Sequence, residues 1–186
     1  MFRNDESTME TKNIGLMDII RKRRSIRRYK PDPIPENEIR YILEAAREAP
    51  SWNNQQCWRF IVVRDKEVQK KLAEASKRRM WMAQAPIIIV ACANPSQSGK
   101  RRFGGQEYYL VDIGVCVEHM VLAATERGLG TCWIGDFDEN SVKRLLGIPG
   151  NIRAVALIPV GLPDEEPTPT PRKELQELYT EERWRQ

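Results

Sequence analysis

A chain of 186 residues with 41% hydrophobic and 30% charged residues can bury one sizeable core, and its composition excludes a disordered or fibrous protein. The formal net charge of +4 is mildly basic, and much of the excess gathers in Arg21-Lys22-Arg23-Arg24 with Arg27, Arg28 and Lys30. A local cluster of that kind points to a bound anion, with phosphate a good candidate and nucleic acid the competing reading.

Cys57, Cys92, Cys116 and Cys132 show no CxxC spacing and His119 is the only histidine. That argues against zinc and implies reduced, mostly buried thiols in a cytoplasmic protein. The N-terminus carries Asp5 and Glu6 without an apolar core, so it does not read as a signal peptide. The longest apolar stretches read as far short of a membrane span.

In chain order, residues 1–14 are polar and read as a flexible leader. A helix is expected from Gly15-Leu16-Met17 to about Arg24. Pro31, Pro33 and Pro35 keep 25–35 irregular. Pro35 suits the first turn of a helix over 36–48, whose apolar face is Ile39, Ile42, Leu43 and Ala46. Residues 50–57 read as a polar loop. Trp58–Val63 is aromatic and β-branched, hence a strand, and 66–78 is an amphipathic helix. Ile87–Ala93 is a continuous apolar run, expected to be a central strand buried on both faces. Residues 94–106 read as a mobile loop. A long helix over 107–127 is apolar nearly all round, which implies burial in a core or an interface. Gly128 and Gly130 end it. A short strand over 131–134, a helix capped by Asp138 and stopped at Gly147, and a strand over 154–161 complete the core. Residues 163–173 form a Pro- and Glu-rich arm, and 174–184 a short helix or an arm reaching a partner. The fold class is α+β, with strands and helices interleaved around one sheet. Residues 15–186 form a single domain with a C-terminal arm from about 163.

Four segments carry binding chemistry. Arg23-Arg24-Ser25-Ile26-Arg27-Arg28-Tyr29 offers guanidinium forks and a hydroxyl that suit phosphate. A solvated basic face is the bland alternative. Asn53-Asn54-Gln55-Gln56 sets four amides before a strand. Their donors and acceptors suit a ring edge that alternates both, such as a flavin pyrimidine; the alternative is ordinary turn chemistry. Asp112 precedes Gly128-Leu129-Gly130-Thr131-Cys132-Trp133-Ile134-Gly135, where glycines let backbone approach a ligand or merely cap a helix before a core strand. Pro171-Arg172-Lys173 adds a basic spot on the arm. Trp52, Trp81 and Trp133 could stack on a ring or belong to a core or interface. No Ser-His-Asp triad, paired catalytic carboxylates or metal site is expected.

Taken together and in this order, RRSIRRY, APSxxNxQxW, DxG, GLGTCWIG and PRK resemble the nitroreductase family of flavoproteins, from about Met17 to Trp184. The resemblance implies a mixed central sheet flanked by helices, in an intertwined homodimer that buries the long helix, exchanges terminal arms and holds FMN at its interface. It implies that Arg23, Arg24 and Ser25 hold the FMN phosphate and ribityl chain. Arg27 would lie toward the pyrimidine ring and tune the redox step, and Arg172 with Lys173 would complete the phosphate site. Pro50, Ser51 and Asn54 would reach the flavin from the second subunit, with Gln56 behind them. Ile134 and Gly135 would set their backbone against the reactive N5 edge. The activity implied is ping-pong transfer of hydride from NADH or NADPH, through flavin N5, to a small oxidised acceptor such as a nitroaromatic or quinone.

The chain departs from that pattern in three places. Cys57 stands where the family has proline, either as a small core residue or as a thiol near the flavin. Glu118-His119 stands where the family often has Gln-Asn. The span between Ala93 and Asp112 is short where many members carry a helical insertion, which leaves acceptor and nicotinamide preference open. Dehalogenation, dehydrogenation, flavin destruction and non-catalytic FMN carriage or sensing remain alternatives, as does a small nucleic-acid-binding protein.

Overall fold

The computed structural model describes residues 15–184; the leader over 1–14 lies outside them. The architecture is organised around β2 (Ile87–Ala93), every residue of which is buried. It pairs antiparallel with β1 (Trp58–Val63) on one side and β4 (Arg153–Gly161) on the other, and β4 pairs antiparallel with β3 (Gly130–Thr131). The sheet order is β1-β2-β4-β3.

Side chains of a strand alternate between its faces, and β2 uses both. Ile87, Ile89, Ala91 and Ala93 face a core built with α2 (Glu36–Arg47) and α4 (Tyr108–Glu126). Ile88, Val90 and Cys92 face a second core with Leu72 of α3 (Lys66–Ala75) and Val142 of α5 (Glu139–Leu146). Burying one such side chain contributes about 1.5–3 kcal/mol, so a sheet covered on both sides dominates the stability.

The expected mixed sheet is antiparallel throughout its four strands. Among the described residues the one parallel pairing is the single bridge Ser25–Thr131. Val63 at the end of β1 pairs with Ile88 at the start of β2. The excursion through α3 and the return segment 76–86 therefore comes back to the end it left. The Gln69 side chain holds that round trip closed, donating to the carbonyls of Val63 (3.0 Å) and Pro86 (3.2 Å).

Helix limits follow local chemistry. Asp65 caps α3 by accepting from the amides of Glu67 and Val68, and Asp138 caps α5 by accepting from that of Asn140. Gly147, at φ 66°, ends α5 in the left-handed region that glycine enters without strain. Three elements are shorter than expected. The first helix, α1, is Leu16–Lys22 because Arg23 already turns into extended chain. α3 stops at Ala75, before the positive φ of Lys77 and Arg78. The strand expected over 131–134 is β3 plus one bridge at Ile134. The supposed loop 94–106 is largely built: Asn94 caps a 3₁₀ turn over Pro95–Gln97, and Lys100 pairs with Glu107 across a short hairpin.

By length and composition alone α4 could cross a membrane, unlike the shorter apolar runs on which the sequence reading rested. Here it is the core helix, with Ile113, Cys116, Val117, Met120 and Ala124 buried against α2 and the sheet. His119 Nδ1 lies 3.2 Å from the Ala45 carbonyl, a satisfied histidine at the α2–α4 contact. One stripe of α4 is uncovered: Leu110 and Val111 are exposed, as are Leu16, Met17 and Ile20 of α1.

Candidate active site

After α1 the chain runs extended along β3. The Ile26 amide donates to the Thr131 carbonyl at 2.8 Å, beside the Ser25–Thr131 bridge. The Tyr29 hydroxyl donates to the Ile26 carbonyl at 2.6 Å. Gly130 makes this pairing possible, since a Cβ there would lie 2.8 Å from Ile26 Cγ1. In an extended run, alternate residues face opposite ways. Arg23, Ser25 and Arg27 therefore share one side, and Arg24 and Ile26 the other.

The surroundings bear this out. Arg23, Ser25 and Arg27 sit about the buried Cys132, together with Arg79. Burial pushes the Cys132 thiol up, while Arg27, Ser25, Arg79 and Arg23 oppose the rise. Arg79 is fixed by donating to the carbonyls of Ser76 (2.9 Å) and Asp136 (2.8 Å). It was missed in the sequence because no motif surrounds it. Arg24 instead turns to the carbonyls of Arg21 and Arg23. With Arg21, Lys22 and Ile26 it lines an open cleft of about 910 Å3 between α1, the end of α4 and the arm. The basic cluster is thus divided between two faces.

The start of the arm is clamped to the same run. Glu165 accepts from the amides of Arg27 (2.5 Å) and Arg28 (3.2 Å), and the Arg28 guanidinium donates to the Asp164 carbonyl at 2.8 Å. Farther out, Arg172 donates to the carbonyls of Thr170 and Pro171 in its own arm, and Arg172 and Lys173 are exposed. The structure does not bring them to Arg23.

The amide loop lies elsewhere. Pro50 is exposed and Ser51 half-buried. Trp52–Asn54 makes one 3₁₀ turn, and Asn53, Asn54 and Gln56 have φ of 43°, 54° and 50°. Asparagine enters this left-handed region more readily than most residues. Ser51 Oγ accepts from the Gln56 amide at 2.9 Å, and Gln56 Nε2 donates to Asn54 Oδ1 at 3.1 Å.

Asp112, buried in α4, ties the loop down. Its Oδ1 accepts from the Trp52 amide at 2.9 Å, and its Oδ2 from Ser98 Oγ at 2.8 Å and Cys57 Sγ at 3.5 Å. Burial, and then the Asp112 carboxylate, push the Cys57 thiol up to about 12. It is a protonated core thiol, not a thiolate. The Trp52 indole covers Gly99 so closely that a Cβ there would be 2.3 Å from it.

Ile134 and Gly135 divide their roles. Ile134 is buried, and both its backbone groups are taken by Leu157 at 3.0 and 2.9 Å. Gly135 is exposed with open space beyond its Cα, so its backbone is the part that a ligand can approach. Trp81 is half-buried between two cores, whereas Trp52 and Trp133 are exposed.

Within one chain these pieces lie in two separate regions, the candidate half-sites. Asp112 and Glu126 are fourteen residues apart on α4, roughly 20 Å of helix. The amide loop hangs from the first, and the Arg23–Arg27 run lies by the strand that follows the second. Among the described residues no three His, Cys, Asp or Glu side chains gather as a metal cluster.

The profile of the Nitroreductase family matches residues 20–86 and 77–162. The chain belongs to the nitroreductase family. It is 33% identical over 192 residues to an NADH dehydrogenase of Thermus thermophilus, covering 84% of this chain and 91% of that protein. A solved nitroreductase family protein from Clostridium novyi NT superposes with a TM-score of 0.76 at 38% identity, covering 81% of this chain and 86% of the other. The NADPH:FMN oxidoreductase from Vibrio harveyi complexed with NAD+ superposes with a TM-score of 0.83 at 26% identity, covering 92% of this chain and 78% of that one.

Proposed function

We propose that the chain is an FMN-dependent NAD(P)H oxidoreductase that reduces a small oxidised organic acceptor, nitroaromatic or quinone-like, by a ping-pong mechanism. The observation that carries this reading is the shared side of Arg23, Ser25 and Arg27 on the run paired with Thr131, in the strand that leads to the open backbone at Gly135. The residues fit the cofactor. Arg23 and Ser25 are half-buried donors suited to its phosphate and ribityl chain, and Arg27 is a cation for its pyrimidine side. Arg24, on the other face, neutralises charge from behind. When bound, FMN supplies hydride transfer between nicotinamide and acceptor, while the protein binds, orients and sets the electrostatics.

Arg172 and Lys173 complete the phosphate grip. Arg172 stands apart from Arg23 in this structure; with Glu165 anchoring the arm beside Arg27, the seven residues that follow, at about 3.4 Å each, are long enough for it to swing to a bound phosphate. Pro50, Ser51 and Asn54 cover the ring from a second copy of the chain, with Gln56 supporting Asn54. Two observations support the homodimer: the separation of the half-sites along α4, and the exposed apolar stripe of α4 and α1 with Leu175, Leu178, Tyr179 and Trp184 on the arm. Residues 15–186 act as one FMN-binding unit. Its four free, buried cysteines suit a reducing cytoplasm, and neither nucleic acid nor membrane is a partner.

The test is the absorbance spectrum of the purified protein during anaerobic titration with NADH and NADPH. An oxidised-flavin spectrum bleached by either supports the reading and identifies the donor. Bound flavin that neither bleaches points to a carrier or another electron source. No flavin, even after adding FMN, overturns the proposal.

A further inference from the structure

The proposed chemistry leaves one charged group of the core unused. Asp112 is 4% exposed on a helix face packed with apolar side chains. A buried carboxylate survives only where its oxygens are well supplied with donors. Here three donors come from three separate stretches: the Trp52 amide of the loop, the Ser98 hydroxyl beyond β2, and the Cys57 thiol at the entry to β1. No lysine or arginine pairs with Asp112 among the described residues, so hydrogen bonds alone compensate its charge.

Each segment it joins has bonds of its own, and Asp112 is the group that ties them to each other. Loop 51–56 carries three left-handed non-glycine residues; most of its other bonds are internal, such as Asn54 amide to Ser51 carbonyl, and Arg59 of β1 donates to its Gln56 carbonyl at 3.3 Å. Ser98 leads into the hairpin whose base closes through the Tyr108 amide and the Gly99 carbonyl at 2.8 Å. The Trp52 indole on Gly99 is a second contact between the same two stretches. A side chain serving only to fill space would be apolar here, as its neighbours Ile113 and Cys116 are.

We infer that Asp112 is a positioning residue: it locks the amide loop and the base of the 99–108 hairpin into one unit, so that Ser51 and Asn54 meet the cofactor in a set geometry. This rests on the oxidoreductase reading above. The carboxylate touches neither cofactor nor acceptor; it acts through Trp52 and Ser98. A shift of about 1 Å in a positioned group costs about a hundredfold in rate, which sets the size of effect expected.

The variants are Asp112→Ala, Asp112→Asn and Ser98→Ala. Asparagine keeps an oxygen for the Trp52 amide, and its NH2 can donate to a serine hydroxyl that turns to accept. Two quantities are read: amide hydrogen exchange at Trp52 in the flavin-free chain, and kcat, acceptor KM and flavin midpoint potential per bound FMN. Asp112→Ala should unprotect Trp52 and lower kcat per bound flavin about ten- to a hundredfold, with a displaced potential. Ser98→Ala should move the same quantities less, and Asp112→Asn should restore both.

Wild-type exchange at Trp52, or wild-type kcat and potential per bound flavin, in Asp112→Ala would overturn the role. So would Asp112→Asn behaving like Asp112→Ala, because charge and not placement would then matter. If Asp112→Ala does not fold, Ser98→Ala decides, and unchanged kcat and potential there count against the inference. A wild-type chain that binds no FMN sinks the oxidoreductase reading instead, and the exchange at Trp52 still tests the lock.

Discussion

The run 23–28 and the loop 51–57 are both polar stretches that follow a helix, yet they are held by different means. The first is pinned by its backbone: the Ile26 amide bonds β3, and Gly130 leaves room for Ile26. Its side chains are free to alternate, and the alternation sorts the arginines onto two faces. The second meets the sheet at its end, where the Cys57 carbonyl accepts from the Asn94 amide at 2.9 Å, and its start is held from below by one carboxylate. A ladder tolerates side-chain changes but not backbone crowding. A lock of the second kind tolerates loop changes but not loss of its single acceptor.

Buried thiols under both regions provide the largest effect. Cys57, Cys92 and Cys116 are raised to about 12, 11 and 12 by burial first of all, and Cys132 is raised as well. A folded value above the unfolded one, near 9, means that the folded chain keeps protons the unfolded chain has lost. Stability is therefore full below pH 9 and falls as pH rises from 9 towards 11–12. Each thiol costs about 1.4 kcal/mol per pH unit in that window, which denaturant unfolding at pH 8, 9 and 10 will register. Thiolate absorbance sharpens the comparison. Cys132, opposed by three arginines, should ionise before Cys57, whose neighbour is a carboxylate. Equal ionisation would mean that the arginines do not converge there.

Arg23→Ala should weaken FMN binding by about 1.5–3 kcal/mol, the worth of a hydrogen bond to a charged group, read by fluorescence titration. Arg24→Ala, on the opposite face, should cost less. Equal losses would break the two-face division.

Gly130→Ala should destabilise the chain by about 1–3 kcal/mol, since the added methyl forces Ile26 off the strand. The expected melting temperature falls by about 2–4 °C per kcal/mol at this chain length. An unchanged melting temperature would show that the run is not ladder-held.

Asn54→Gly, which keeps the left-handed φ of 54° without strain, should shift flavin potential and turnover while stability stays within about 0.5 kcal/mol, as for a surface change. Unchanged potential and turnover would place the loop away from the cofactor.

Much of the fold could be read from local pattern. Ile87–Ala93 announces a strand covered on both faces, and Asp138 with Gly147 brackets α5, because periodicity and capping are properties of neighbouring residues. The candidate site was legible as motifs, because RRSIRRY and the amide loop are each contiguous. Their arrangement was not. Arg24 shares a motif with Arg23 but turns away from it. Arg79 has no local signal. Ile134 spends its backbone on Leu157, and Arg172 stands apart from the cluster it was expected to join.

The sequence by itself determined the elements, the α+β class and the residue types available for binding, since these follow from spacing along one chain. Only the tertiary structure decided that the sheet is antiparallel, which face each arginine takes, and that Asp112 meets Trp52, Ser98 and Cys57. Those outcomes depend on contacts between residues distant in the chain, Trp52 with Asp112 across sixty positions and Ile26 with Thr131 across still more. They are settled by which packing buries the apolar faces while giving buried groups such as the Asp112 carboxylate their partners.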